Sequence, residues 1–185
     1  EAVRLAEGET ARELLERDAS LPATTLANFW TAVAEAYASV GLSRHGSQAA
    51  RRAYEHGLVA GADTLLYRAL GVLAANRALS GEFALTEEAL TRASALEDAH
   101  GWQLTPAAYL LLVGQILLRS GRLDATGLSH CARRLRATLP GDPTWRALAA
   151  LADAMAHLLR GRHSEGIAAI VSITNGADQR SLPRL

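Results

Sequence analysis

The sequence predicts an all-α fold, a stack of antiparallel helical hairpins with a period of about 40 residues. Three observations carry the prediction. Glycine recurs at Gly41, Gly81, Gly121 and Gly161, and a fixed period of this kind is the signature of a repeat architecture. Each interval holds two stretches with helical apolar spacing, as in Phe29, Val33, Ala36, Tyr37 and Val40. Helix-start signals precede several of these stretches.

The first helices of the units are expected over 25–40, 64–80, 106–120 and 143–160. Asp63 is placed to cap the second. Thr105 before Pro106 and Asp142 before Pro143 pair an oxygen-bearing cap with proline at the first helical position. The period glycine then ends each first helix, because it takes the left-handed conformation without a Cβ clash. The second helices are expected over 43–60, 84–100, 124–139 and 164–173, and residues 2–19 read as the second helix of an earlier unit. The units fall at about 24–62, 63–102, 103–141 and 142–175, within a single domain over 1–185. Small residues recur in register. Ala34, Ala74, Gly114 and Ala154 stand seven before each glycine, and Gly46, Thr86, Thr126 and Gly166 stand five after it. Small side chains at matched places let two helices approach closely.

Composition narrows the function classes. The formal net charge is zero, which argues against a dedicated nucleic-acid surface. All 19 basic residues are Arg, a bias that fits a GC-rich bacterial genome. The single cysteine, Cys131, rules out an internal disulfide and fits a reducing cytoplasm. No apolar run approaches the roughly 18 residues a membrane span needs, and no signal peptide is visible. The chain begins at Glu1 and its one Met is Met155, so it reads as a fragment of a longer protein.

The repeat resembles the tetratricopeptide family (TPR). Trp30, Val33, Ala34, Tyr37, Gly41, Ala50 and Ala53 stand at the spacing of that family's motif. The second unit keeps Leu73, Ala74, Gly81, Leu90 and Ala93. The third keeps Val113, Gly114, Leu117, Gly121 and Leu123 but has Arg133 where a small residue belongs, and the fourth has Ile173 there. No unit has the closing proline, and the period exceeds the family's usual length of about 34. The resemblance implies a right-handed superhelix whose first helices line a concave face. Degenerate hairpins rich in Ala, Leu and Arg also resemble the central helical region of bacterial LuxR-type regulators of the signal-transduction ATPase class. In that family an ATPase module precedes the repeats and a helix-turn-helix domain follows. The implied role is a non-catalytic sensor that receives a small-molecule inducer or a protein or peptide partner, in the cytoplasm, with self-association of the full-length protein left open. The alternative is a free-standing adaptor.

No catalytic motif is legible. With no Lys, a P-loop cannot lie in this chain, and H-E-x-x-H, C-x-x-C and G-x-S-x-G are absent. No two of the six histidines share a helix face at i+3 or i+4. They read as surface or capping residues, with no metal site, cofactor or enzymatic activity expected. Cys131 reads as a small buried hydrophobe. Arg133, Arg134 and Arg136 read as a solvated face rather than a nucleic-acid patch. The aromatics Trp30, Tyr37, Trp102 and Trp145 read as packing residues. Positions carried over from the family put Asn28, Thr31, Glu35, Arg68, Gln115 and Arg119 on the concave face as polar anchors for a ligand. Leu148, Leu151, Met155, Leu158 and Leu159 form its apolar end, expected to pack on a following helix. A chaperone-type carboxylate clamp is not expected, since only Asn28 and Arg68 come near it.

Overall fold

A computed structural model describes residues 21–102, 108–138 and 143–171. Every regular element among them is helical, with no strand. The helices are α1 (Ala23–Ser39), α2 (Ser43–Ala60), α3 (Asp63–Leu79), α4 (Phe83–His100), α5 (Tyr109–Gly121), α6 (Ala125–Thr138) and α7 (Pro143–Leu159). A further helical stretch, α8, covers 163–171. The proposed leading helix 2–19, the Thr105–Pro106 start, Asp142 and Ile173 lie outside the described residues.

The elements pair as the glycine period predicts. Short turns fold α1 on α2, α3 on α4 and α5 on α6. The first helices also form a row in which α1 packs on α3, α3 on α5, and α5 on α7. The row sets α3 inside the structure, with neighbours α1, α2, α4 and α5. Its residues from Ala69 through Asn76 are all buried accordingly, and Arg68 and Arg77 on either side are partly exposed. Small residues make the close approach possible. Ala34, Ala74 and Ala154 are fully buried. A Cβ on Gly114 would stand 3.0 Å from the Cβ of Ala74.

Three hairpin turns form at the predicted glycines. Gly41, Gly81 and Gly161 have φ of 77°, 77° and 72°. In each, the residue after the glycine donates its N–H back across the turn: Leu42 to Tyr37 at 2.9 Å, Glu82 to Arg77 at 2.9 Å, and Arg162 to His157 at 2.9 Å. This is the Schellman closure, which satisfies a helix-end carbonyl. Gly61 and Gly101 do the same at the ends of α2 and α4, with φ of 60° and 63°.

The third turn departs from prediction. Gly121 is the last residue of α5 rather than the turn. The left-handed residue is Leu123, φ 57°, and the closing bond runs from the Asp124 N–H to Arg119 at 2.8 Å. Helix α4 supplies the reason. The Phe83 ring lies where a Cβ of Gly121 would be, 2.1 Å away. One turn further along α4, Glu87 accepts from Nη1 and Nη2 of Arg122 at 3.0 and 2.6 Å. The downstream register moves with the turn. Five residues past Leu123 stands Leu128, fully buried, whereas Thr126 is exposed. Asp124 caps α6, its Oδ1 accepting the Gly127 N–H at 2.8 Å.

Asp63 does not cap α3. It is the first helical residue and makes no cap bond. Its Oδ2 instead meets His100 Nε2 at 2.7 Å. His100 stacks on Trp102, and Trp102 packs edge-on against Tyr67. The Tyr67 hydroxyl donates to Glu97 Oε1 at 2.5 Å. Burial, reinforced by that bond, holds the Tyr67 phenol well above the usual tyrosine range. The start of α3 is thereby tied to the end of α4. Trp30, Tyr37, Trp145 and Trp102 all join or pack against the core, as expected of packing residues.

Candidate binding surface

Glu35 on α1 and Arg68 on α3 meet across the seam of the first two units. Arg68 donates Nη2 at 2.9 Å and Nε at 3.3 Å to Glu35 Oε1. Both side chains stay more than one-third exposed, so the pair marks the surface and adds little to stability. Asn28 is exposed, with its amide donating to the Thr24 carbonyl at 3.0 Å. Thr31 is buried, and its hydroxyl donates to the Ala27 carbonyl at 2.7 Å. It falls on the inward side of α1 with Ala27, Trp30 and Ala34 and offers no ligand contact.

The other two predicted anchors stand elsewhere. Gln115 lines a crevice with Ser94 and Glu97 of α4 and Arg134 of α6. Its volume, about 10 Å³, is room for about one water. Arg119 donates to Asp124 Oδ2 at 2.8 Å, and its stem lies over Gly127 at the start of α6. Glu35 and Arg68 therefore come together, while Gln115 and Arg119 turn toward α4 and α6.

The two-residue slip of the third turn explains this. Counting back thirteen, ten and six residues from each left-handed turn residue aligns the units by their turns. Asn28 then matches Arg68, Leu110 and Leu148. Thr31 matches Gly71, Val113 and Leu151, and Glu35 matches Ala75, Leu117 and Met155. In α5 the corresponding residues are Leu110, Val113 and Leu117, each partly exposed. The row of first helices is thus polar at Glu35 and Arg68 and apolar from Leu110 to Met155. Leu148, placed at the apolar end by the sequence, is buried, while Leu151, Met155, Leu158 and Leu159 are partly covered. The sequence takes Val113 and Leu117 as repeat-motif positions rather than as surface, because the count runs from Gly121, and it does not single out Leu110.

The remaining candidates are quiet. Arg136 pairs with Asp153 of α7, and Arg133 is exposed, in keeping with a solvated face. Burial pushes the Cys131 thiol above the usual cysteine range, so it stays protonated and a poor nucleophile at neutral pH. Among the described residues no three His, Cys, Asp or Glu side chains converge on a metal position. No described helix is long and apolar enough to cross a membrane. Comparison with protein-family models, with curated proteins and with solved structures gives no match.

Proposed function

We propose that this chain is a TPR-like segment of right-handed helical hairpins that binds a protein or peptide and performs no catalysis itself. Its reading as the cytoplasmic sensor region of a bacterial LuxR-type regulator follows from the sequence resemblance. The observation that supports a binding role is the graded surface of the first-helix row. A half-exposed ion pair, Glu35–Arg68, stands at one end, and partly exposed Leu110, Val113, Leu117, Leu151 and Met155 continue from it. An amphipathic helix presents matching chemistry, apolar anchors at three- and four-residue steps with a charged end.

The gene to either side of the chain gives the first test. A P-loop upstream and a helix-turn-helix downstream support the regulator, whereas stop codons close on both sides overturn it and leave the adaptor. The second test uses a transcription reporter driven by the full-length regulator. Val113→Asp is expected to cut induced transcription about tenfold or more, the scale of an interface hot spot. Leu58→Asp, on the exposed side of α2, serves as the control. Equal effects from the two would reject the first-helix row as the binding face.

A further inference from the structure

Helix α8 has the chemistry that the first-helix row accepts. Its apolar residues Ile167, Ile170 and Val171 fall at i, i+3 and i+4, a spacing that puts side chains on one helix face. All three are exposed, at 58%, 40% and 46%, and among the described helices no other exposes three large apolar residues. Single surface hydrophobes are ordinary, but several on one face mark an interaction surface. Arg162, His163 and Glu165, at the start of α8, are exposed as well. The segment is therefore charged where it begins and apolar further along.

The row of first helices carries the same order. Glu35 and Arg68 bridge the α1–α3 seam, and partly exposed Leu110, Val113 and Leu117 follow on α5. Arg68 gives both of its bonds to one oxygen, Glu35 Oε1. Among the described residues this leaves Glu35 Oε2 as an acceptor and Arg68 Nη1 as a donor. Arg162 supplies a donor for the first and Glu165 an acceptor for the second, so the charges match in sign at both places. The lengths agree too. Nine helical residues span about 13 Å, and packed helix axes lie about 8–10 Å apart. A helix of the size of α8 laid across the row therefore reaches from the α1–α3 seam to α5.

On its own copy α8 is seated against α7. Gly166 is buried there, and a Cβ on it would stand 2.8 Å from the Leu158 side chain and 3.2 Å from the Ala154 carbonyl. A helix held at that place cannot also cross α3 and α5 of the same molecule. We infer that the first-helix row receives α8 of a second copy of this chain. Ile167, Ile170 and Val171 then lie on Leu110, Val113 and Leu117, and Arg162 and Glu165 meet the Glu35–Arg68 pair. The inference rests on the reading of that row as a helix-binding face. The two surfaces are unlike, so the contact joins copies head to tail, with a free α8 at one end of the assembly and a free row at the other.

Sedimentation velocity of the full chain over a range of concentrations tests this. Reversible growth beyond the monomer is expected. Val113→Asp and Ile170→Asp should each weaken it about tenfold or more, the scale of an interface hot spot, so that each variant alone sediments as a monomer where the native chain associates. Mixed together, the two are expected to form a dimer that grows no further. Val113→Asp keeps an intact α8 and Ile170→Asp an intact row, and unfolded chains could not produce that recovery. Arg162→Glu is expected to weaken association several-fold, and Leu58→Asp, on the exposed side of α2, to leave it unchanged. A native chain that stays monomeric overturns the inference. If Val113→Asp still lowers induced transcription in that case, the row remains a binding face and its partner is another protein. Native-like association of Val113→Asp overturns the inference as well, because α8 would then seat elsewhere. So does a mixture of the two variants that stays monomeric, because the contact would then not be head to tail.

Discussion

At Gly81 the backbone is left-handed, and nothing lies within 4 Å of where a Cβ would point. At Gly121, one period later, the backbone is helical and a Cβ would stand 2.1 Å from the Phe83 ring. The first glycine is required by its dihedral angle and the second by lack of room. Gly41 and Gly161 belong with Gly81. Gly46 belongs with Gly121, since its Cβ would fall 2.0 Å from Asn76 Oδ1. The difference teaches that a regular glycine period can be kept by unlike causes. The spacing of turns therefore follows from packing as well as from spelling.

The largest expected effect belongs to the glycines that make room. Asn76 is fully buried, and its amide donates to the Val72 carbonyl at 2.9 Å and the Ala34 carbonyl at 3.4 Å. Gly46→Ala must displace it, and a loss of about 3 kcal/mol is expected from overpacking together with disturbed buried hydrogen bonds. Urea unfolding measures this, and a change within about 0.5 kcal/mol would remove Gly46 from its class.

Gly121→Ala is expected to cost about 2 kcal/mol, because the Phe83 ring can swing aside at some packing cost. In a Phe83→Leu background the penalty should shrink, and a double-mutant cycle reads the coupling. Additive losses would mean that Phe83 does not hold the third turn.

Gly81→Val should cost about 1–2 kcal/mol from backbone strain alone. That loss should be the same with or without Phe83. A neutral result would show that the left-handed turn is not the device closing the hairpin.

The smallest effect has the opposite sign. Leu123 adopts the left-handed conformation with the residue 72% exposed, so it carries the strain with little burial in return. Leu123→Gly is expected to stabilise the fold by up to about 1 kcal/mol, less the greater chain entropy of glycine when unfolded. A rise in Tm confirms the slip by a route that does not touch Phe83, and a fall would mean that the leucine packs usefully.

The helices were legible because their signals are local. Helical apolar spacing and flanking glycines placed α1 to α4 within one or two residues of their observed ends. Gly61 and Gly101, also 40 residues apart, form a second set of caps that the period of hairpin turns does not include. The candidate surface was legible only in part. Glu35 and Arg68 sit in units whose turns fall on the glycine. Gln115 and Arg119 belong to the unit whose turn does not, and there the transferred positions faced the wrong neighbours. Thr31 failed for another reason, since a hydroxyl that bonds its own helix carbonyl is easily buried.

The sequence by itself determined the helical content, the hairpin length and the small residues at the seams, because dihedral preference and apolar spacing act over a few neighbouring residues. Tertiary structure alone decided which residue turns the third hairpin and which face of α5 is left partly open. These depend on contacts between residues far apart in the chain, such as Phe83 with Gly121 and Glu87 with Arg122. No local pattern encodes such contacts, because the energy that selects them exists only once the helices are packed.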